Sequence, residues 1–267
     1  MFSPATLFEP QRACRAAILL CGIVFLAGAS PAVAAGCSFE PQGEGRVAAV
    51  IDARTLRLAD GREVRLEGIE PVAATDQAKA SRTAGLAAIV AGREVKLSGP
   101  DDTPDRYGRQ PAFVFIAASE TLVQELLLAQ GEAWVSATVT NKDCAAVLMS
   151  AEAAARQAKR GAWADPAAIK NAESPGDILA GIGRFTVVEG RVLSVRQAGA
   201  TTYLNFGRNW TQDFAVTISR RMIPVVEAAG IGLKSLEKRR IRVRGWVEAR
   251  GGPRIEVLRA GQIELAD

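Results

Sequence analysis

The chain of 267 residues contains no histidine. That absence removes Ser-His-Asp and Cys-His nucleophile systems, histidine-based zinc sites and histidine general bases. Cysteine is scarce, at four, and no Cys-x-x-Cys occurs, so redox and zinc-ribbon motifs are absent as well. No glycine-rich loop runs into Lys-Ser or Lys-Thr, which removes the P-loop. Ser235-Leu236-Glu237-Lys238 has the form Ser-x-x-Lys, but its companion motifs are missing, and two fixed positions arise readily by chance.

What is present begins with a leader. Arg12 and Arg15 precede an apolar run from Ala16 to Ala29, and Ala32-Val33-Ala34 follows. A basic start, a short apolar core and a small-x-small exit describe a cleaved secretory signal peptide over residues 1–36, and the run is too short for a comfortable membrane span. The expected location is therefore periplasmic or secreted. Ala34-Ala35-Gly36-Cys37 has the outline of a lipoprotein box, but alanine stands where leucine is usual, so lipidation at Cys37 is the minor reading. Cleavage would remove Cys14 and Cys21 and leave Cys37 and Cys144. In an exported chain two thiols most simply form one disulfide, the alternative being two separate buried thiols.

Charge divides the remainder. Residues 35–183 carry 16 basic against 20 acidic side chains, and residues 184–267 carry 15 against 8. An acidic first part and a basic second part speak about partners rather than fold. Residues 164–183, rich in Ala, Pro and Gly, read as a linker or loose helix between domains at 37–163 and 184–267.

Short β-prone segments are expected at 45–51, 54–59 and 63–68, with Asp60-Gly61 as a turn. A helix over 77–91 closed by Gly92, strands at 94–97 and 110–115, and amphipathic helices before Gly131 and over 145–159 complete the first domain. The second repeats the recipe, with strands at 185–196, 202–206 and 213–219, a short helix at 223–229, and strands at 239–249, 254–258 and 262–265. Its opening Glu189-Gly190-Arg191-Val192-x-x-Val195 echoes Glu44-Gly45-Arg46-Val47-x-x-Val50. Strand–strand–strand–helix–strand order in both predicts a mainly β protein with α-helices, built as two tandem OB-fold-like barrels.

Three motifs carry chemistry. They are Asp52-Ala53-Arg54-Thr55-Leu56, then Val64-Arg65-Leu66-Glu67-Gly68-Ile69-Glu70, then Asp105-Arg106-Tyr107-Gly108-Arg109. In that order and at those separations the chain resembles the calcium-dependent thermonuclease (staphylococcal nuclease-like) family over about residues 44–163. The family pattern reads D-G-D-T-hydrophobic, R-L-x-G-hydrophobic-D-x-P-E and D-x-Y-G-R. The resemblance implies an OB barrel with two trailing helices, catalytic arginines at Arg65 and Arg109, and calcium-binding acids at the positions of Arg54 and Glu70. It also implies a Glu that activates water at the position of Ala73.

This chain keeps both arginines and loses much of the acidic half. Asp52 and Glu70 are remnants, Arg54 replaces a ligand, and Ala73 replaces the base. A hard divalent ion needs clustered oxygen donors, and a unit charge 4 Å away is worth about 4 kcal/mol at an effective dielectric near 20. The expected role is thus a catalytically degenerate nuclease homologue that binds nucleic acid or another polyanion and needs no cofactor. One expectation places the Arg54 guanidinium where the ion would sit, paired with Asp52 or Glu70; the alternative turns it to solvent. The rival functions are an active calcium-dependent phosphodiesterase with a rearranged site and a protein-interaction module of the cell envelope. In the second domain Tyr203, Phe206 and Trp210 lie among basic and amide groups, while Arg240, Arg242 and Arg244 share one strand face by period two. These six form the expected polyanion surface, with single-stranded nucleic acid as one occupant.

Overall fold

A computed structural model describes residues 36–72 and 76–266. The leader, with Cys14 and Cys21, and Ala73 at the base position lie outside the described residues.

The first barrel is made by β1 (Pro41–Asp52), β2 (Thr55–Leu58) and β3 (Glu63–Leu66), followed by β4 (Ile69–Pro71), α1 (Asp76–Val90), β5 (Glu94–Ser98) and β6 (Gln110–Ile116). β1 is long because it serves two neighbours. Its first half pairs with β5 and its second half with β2, with register shifts between Val47 and Ala49 and between Val50 and Asp52 that let it turn the corner. β3 then pairs in parallel with β6, Val64 opposite Gln110, which closes a five-stranded ring. Alternation fills the interior, with Leu56, Leu58, Val64, Leu66, Val95 and Leu97 at 1% exposure or less.

Beyond the barrel come β7 (Thr121–Leu122), α2 (Val123–Gln130), β8 (Ala133–Val135) and α3 (Lys142–Gln157). The buried Gln124 fixes α2 to the barrel: its amide donates to the carbonyls of Ala112 (2.9 Å) and Glu67 (3.2 Å) and accepts from Val114 N–H. α2 ends at Gly131 in the left-handed region, φ 74°, where a Cβ would stand 2.2 Å from the Arg160 carbonyl oxygen. Only glycine satisfies both conditions. β8 pairs with β4, bringing Trp134 opposite Glu70.

Residues 164–183 are not a loose linker. They contain a 3-10 turn at Pro166–Ala168, β9 (Ile169–Asn171) and α4 (Pro175–Leu179). Pro166 and Pro175 occupy first-turn positions, where a missing N–H costs nothing. β9 is hydrogen-bonded in parallel to the next strand, and Ile178 is fully buried.

The second barrel comprises β10 (Phe185–Arg191), β11 (Ser194–Ala198), β12 (Thr201–Asn205), β13 (Ala215–Ser219), α5 (Ile223–Ala228), β14 (Arg240–Arg250), β15 (Gly252–Val257) and β16 (Ile263–Leu265). β10 and β11 together act as β1 does, one pairing with β14 and the other with β12. β13 pairs in parallel with β15 as β3 does with β6. The two echoing sequences fall at the same place in the two barrels, Gly45 opposite Val95 and Gly190 opposite Ile241. The fold is mainly β, an OB-fold-like barrel with trailing helices followed by a second barrel of the same strand order. Among the described residues no helix is long and apolar enough to cross a membrane.

Cys37 and Cys144 form a disulfide, with Cα atoms 4.2 Å apart and a sequence separation of 107. It ties the start of the described chain to the first turn of α3. While it stands, the Cys37 sulfur is not free for a thioether. Reduction is expected to lower unfolding stability by about 4–5 kcal/mol on the chain-entropy scale, read by denaturant titration with and without reductant.

Candidate functional site

Asp52 ends β1 and caps the turn, its Oδ1 accepting the Arg54 N–H at 2.8 Å. That turn throws the Arg54 side chain back across the barrel mouth, where its Nη1 donates to Glu70 Oε2. Arg65, opposite Thr55 on the neighbouring strand, places Nη2 3.5 Å from Glu70 Oε1. Glu70 is 7% exposed, so a nearly buried carboxylate sits between two guanidinium groups. Of the two arrangements open to Arg54, the structure has the ion pair, with Glu70 as its side-chain partner. The Arg65 Nε–H is buried without an acceptor. Glu67, the other nearby acid, instead accepts from Thr138 Oγ1 at 3.1 Å.

Arg109 is held on its own loop. Its Nε and Nη2 donate to Asp105 Oδ2 at 3.0 and 2.7 Å, while Asp105 Oδ1 accepts the N–H groups of Tyr107 and Arg109. Gly108, φ 77°, makes the turn. Burial alone would raise the Asp105 carboxyl, but Arg109 and the two backbone N–H groups outweigh it and hold it at about 2. The hydrogen bonds that Arg109 donates to Asp105 also raise Arg109, against its burial, and the charges of Asp105 and Asp52 add to this. Tyr107 is 66% exposed, with the guanidinium carbons of Arg106 and Arg109 4.8 and 5.1 Å from its ring centroid. The loop is thus a small cationic and aromatic knob.

The donor set does not fit calcium. Arg54 occupies one Glu70 oxygen, and among the described residues no three His, Cys, Asp or Glu side chains converge as a metal site. A guanidinium offers no lone pair and repels the ion. Glu70 also lines a pocket of about 210 Å³ whose far wall comes from the second barrel and includes Trp246, Glu248 and Glu256. Two further carboxylates make that pocket a poor phosphate host.

The expected basic strand face turns inward. Arg244 is 1% exposed and forks onto the fully buried Glu152 of α3, at 2.8 and 2.9 Å. Glu152 Oε2 also accepts the Val135 N–H at 2.6 Å, and Arg244 donates to the Val135 carbonyl. Glu264 on β16 accepts from Arg242, from Arg156 of α3 (both 3.0 Å) and from Arg244 (3.3 Å). Glu189 accepts from Arg240 and Arg242. Burial would raise the Glu189 carboxyl; the two arginines bring it below the usual range. Burial would likewise lower Arg244, but Glu152 and Glu264 raise it.

Arg242 and Arg244 are therefore lost to the expected polyanion surface, consumed by the joint between barrels. Phe206 is lost to the core, packed on Phe214. Arg240 remains exposed although paired. Trp210 is 75% exposed, and Tyr203 is half-buried beneath Arg254. Sequence reasoning missed Glu152 as the anchor. Its helical phase with Cys144, Leu148 and Ala155, the buried face of α3, was the available signal.

Two predictions follow from this geometry. Glu152→Ala leaves Arg244 buried with Glu264 as its one carboxylate partner and should cost about 3–5 kcal/mol, whereas the double variant Glu152→Leu with Arg244→Met should recover much of that loss; chemical denaturation measures both. The Asp105–Arg109 hold depends on a depressed carboxyl, so its contribution is complete above the unfolded value near 3.8 and disappears as pH falls through about 2. NMR titration of the Asp105 carboxyl should place the midpoint there.

Residues 72–165 match the family model described as Staphylococcal nuclease homologue. No curated protein matches the chain. The match begins just after Glu70, and the structure completes its barrel with β1 to β4. Residues 72–165 are thus similar to the staphylococcal nuclease homologue family, and the closed five-stranded barrel agrees with a thermonuclease-like domain there.

Proposed function

We propose that the protein is an exported, catalytically degenerate thermonuclease homologue that binds nucleic acid or a related polyanion without cutting it. The observation that carries this reading is the Arg54 guanidinium on the Glu70 carboxylate. Phosphodiester cleavage by this family's route needs a metal held by acids and a base to direct water. Here one ligand position is a cation already satisfied by another ligand position. Alanine stands at the base position.

Binding has separate support. Arg65 retains a buried Nε–H with no acceptor, and Tyr107 is exposed on the loop before β6 with Arg106 and Arg109 against its ring. A phosphate oxygen satisfies the first, and an unstacked base can lie on the second. In the second barrel Trp210 offers another exposed ring near the uncommitted Arg208. Export rests on the leader pattern and agrees with a disulfide, which persists in oxidising compartments.

The test uses labelled single-stranded DNA with purified protein in calcium, with and without chelator. Expected are salt-sensitive binding weakened at least several-fold by Arg109→Ala, no cleavage, and no calcium heat by calorimetry. Arg54→Asp combined with Ala73→Glu should introduce calcium binding. Chelator-sensitive cleavage by the unaltered protein, lost in Arg109→Ala, overturns the proposal in favour of an active nuclease. If DNA and RNA both fail to bind at low salt, the protein-interaction reading replaces it.

A further inference from the structure

A second site includes Trp134 of β8 but none of the motif arginines. There α1 and β8 of the first barrel face the connector and β10 across a cleft of about 500 Å³. Its walls are largely apolar, with Val72, Ala162, Ala168 and Phe185 among the lining residues. Charge is concentrated in Arg82, Lys170 and Arg184, against Asp165 and Asp177. Asp165 Oδ1 is already engaged, accepting the Ala167 N–H at 2.8 Å. No ion pair among the described residues is seen for Lys170 or Arg184.

The donors in this cleft are unsatisfied. The Arg82 side chain is 13% exposed, and its Nε and Nη1 are buried with no hydrogen-bond partner. The Glu132 carboxylate stands 3.5 Å from Nε without making a hydrogen bond. Trp134 is 4% exposed and its indole N–H also lacks an acceptor. A buried donor left unmade costs roughly 1–3 kcal/mol, and more when charged. Unmatched donors on Arg82 and Trp134, beside a cleft that also carries Lys170 and Arg184, are matched by one ligand chemistry, an oxyanion.

We propose that this cleft binds a small phosphomonoester, its oxyanion meeting Arg82 and the Trp134 N–H and its apolar body lying along the alanine and Phe185 wall. Arg82 supplies its unmatched Nη1 beside Nη2, the end-on edge of the planar guanidinium suited to phosphate oxygens. Lys170 and Arg184 add long-range attraction at the mouth. The apolar wall selects for an esterified anion over the bare ion, since inorganic phosphate removes none of that surface from water. The site shares no residue with the Arg54, Arg65 and Arg109 cluster.

Isothermal calorimetry and thermal melts with phenyl phosphate, inorganic phosphate and phenol test it. Phenyl phosphate should bind with Kd at or below about 1 mM, at least tenfold tighter than either fragment, and raise the melting temperature. Arg82→Gln should weaken it at least tenfold. The exposed Arg184→Gln should weaken it about threefold at low salt with an unchanged melt of the free protein, so that a folding defect in the first variant does not decide the matter. Arg65→Gln and Arg109→Gln should leave it unaltered, which separates this site from DNA binding. Absence of phenyl phosphate binding, equal affinity for the bare ion, insensitivity to Arg184→Gln, or loss of binding in Arg65→Gln would each overturn the assignment.

Discussion

Burying an arginine is the constraint around which the two barrels are arranged. Arg244 is completely withdrawn from water on a central strand, and such a cation survives only if its partners are fixed and complete. Glu152 provides both carboxylate oxygens, and the Val135 carbonyl and Glu264 accept further bonds from Nη1 and Nη2. Because Glu152 belongs to the first domain and Glu264 to the second, the pair is made only when the barrels are seated correctly. A purely apolar joint would tolerate sliding by a residue or two; this one has a single register. The opposite charge of the two halves is in part the trace of that joint.

The same economy of charge governs the Arg54–Glu70 pair. Arg54 does to Glu70 what Arg244 does to Glu152, pairing an almost buried carboxylate with a guanidinium rather than a metal. An organic cation of this kind is covalently attached, so the site is neutralised without any ion from solution. Arg65 then shares Glu70 without being consumed by it, leaving its Nε–H available. Of the motif arginines, Arg109 is the most independent, tied to its own loop by Asp105 instead of to Glu70.

Much of the fold was legible because short strands with alternating apolar positions were punctuated by Gly and Asp at turns. The echo at Gly45 and Gly190 marked equivalent strands, and the motifs located Arg54, Arg65 and Arg109. Long-range partnership was not legible. Period two placed Arg240, Arg242 and Arg244 on one face, but nothing local says whether that face meets solvent or a helix nearly a hundred residues away. Phe206 beside Tyr203 and Trp210 is equally ambiguous until the strand pairing puts it against Phe214. The connector misled by composition: Ile169–Asn171 is too short to announce a strand, and becomes one because β10 offers an unpaired edge. The unsatisfied donors of Arg82 and Trp134 are invisible in sequence, since they arise from helix, strand and connector meeting in space.

That borrowed edge has a consequence for inheritance of the parts. β10 lies between β14 and β9, so the segment joining the barrels is also the outermost rail of the second one. A gene fragment starting at Arg184 would encode every strand of that barrel's ring yet leave a row of bare amides and carbonyls along β10, inviting adhesion to other copies. The second barrel is consequently portable only together with the stretch that precedes it, and shuffling at the apparent compositional boundary would yield a sticky product.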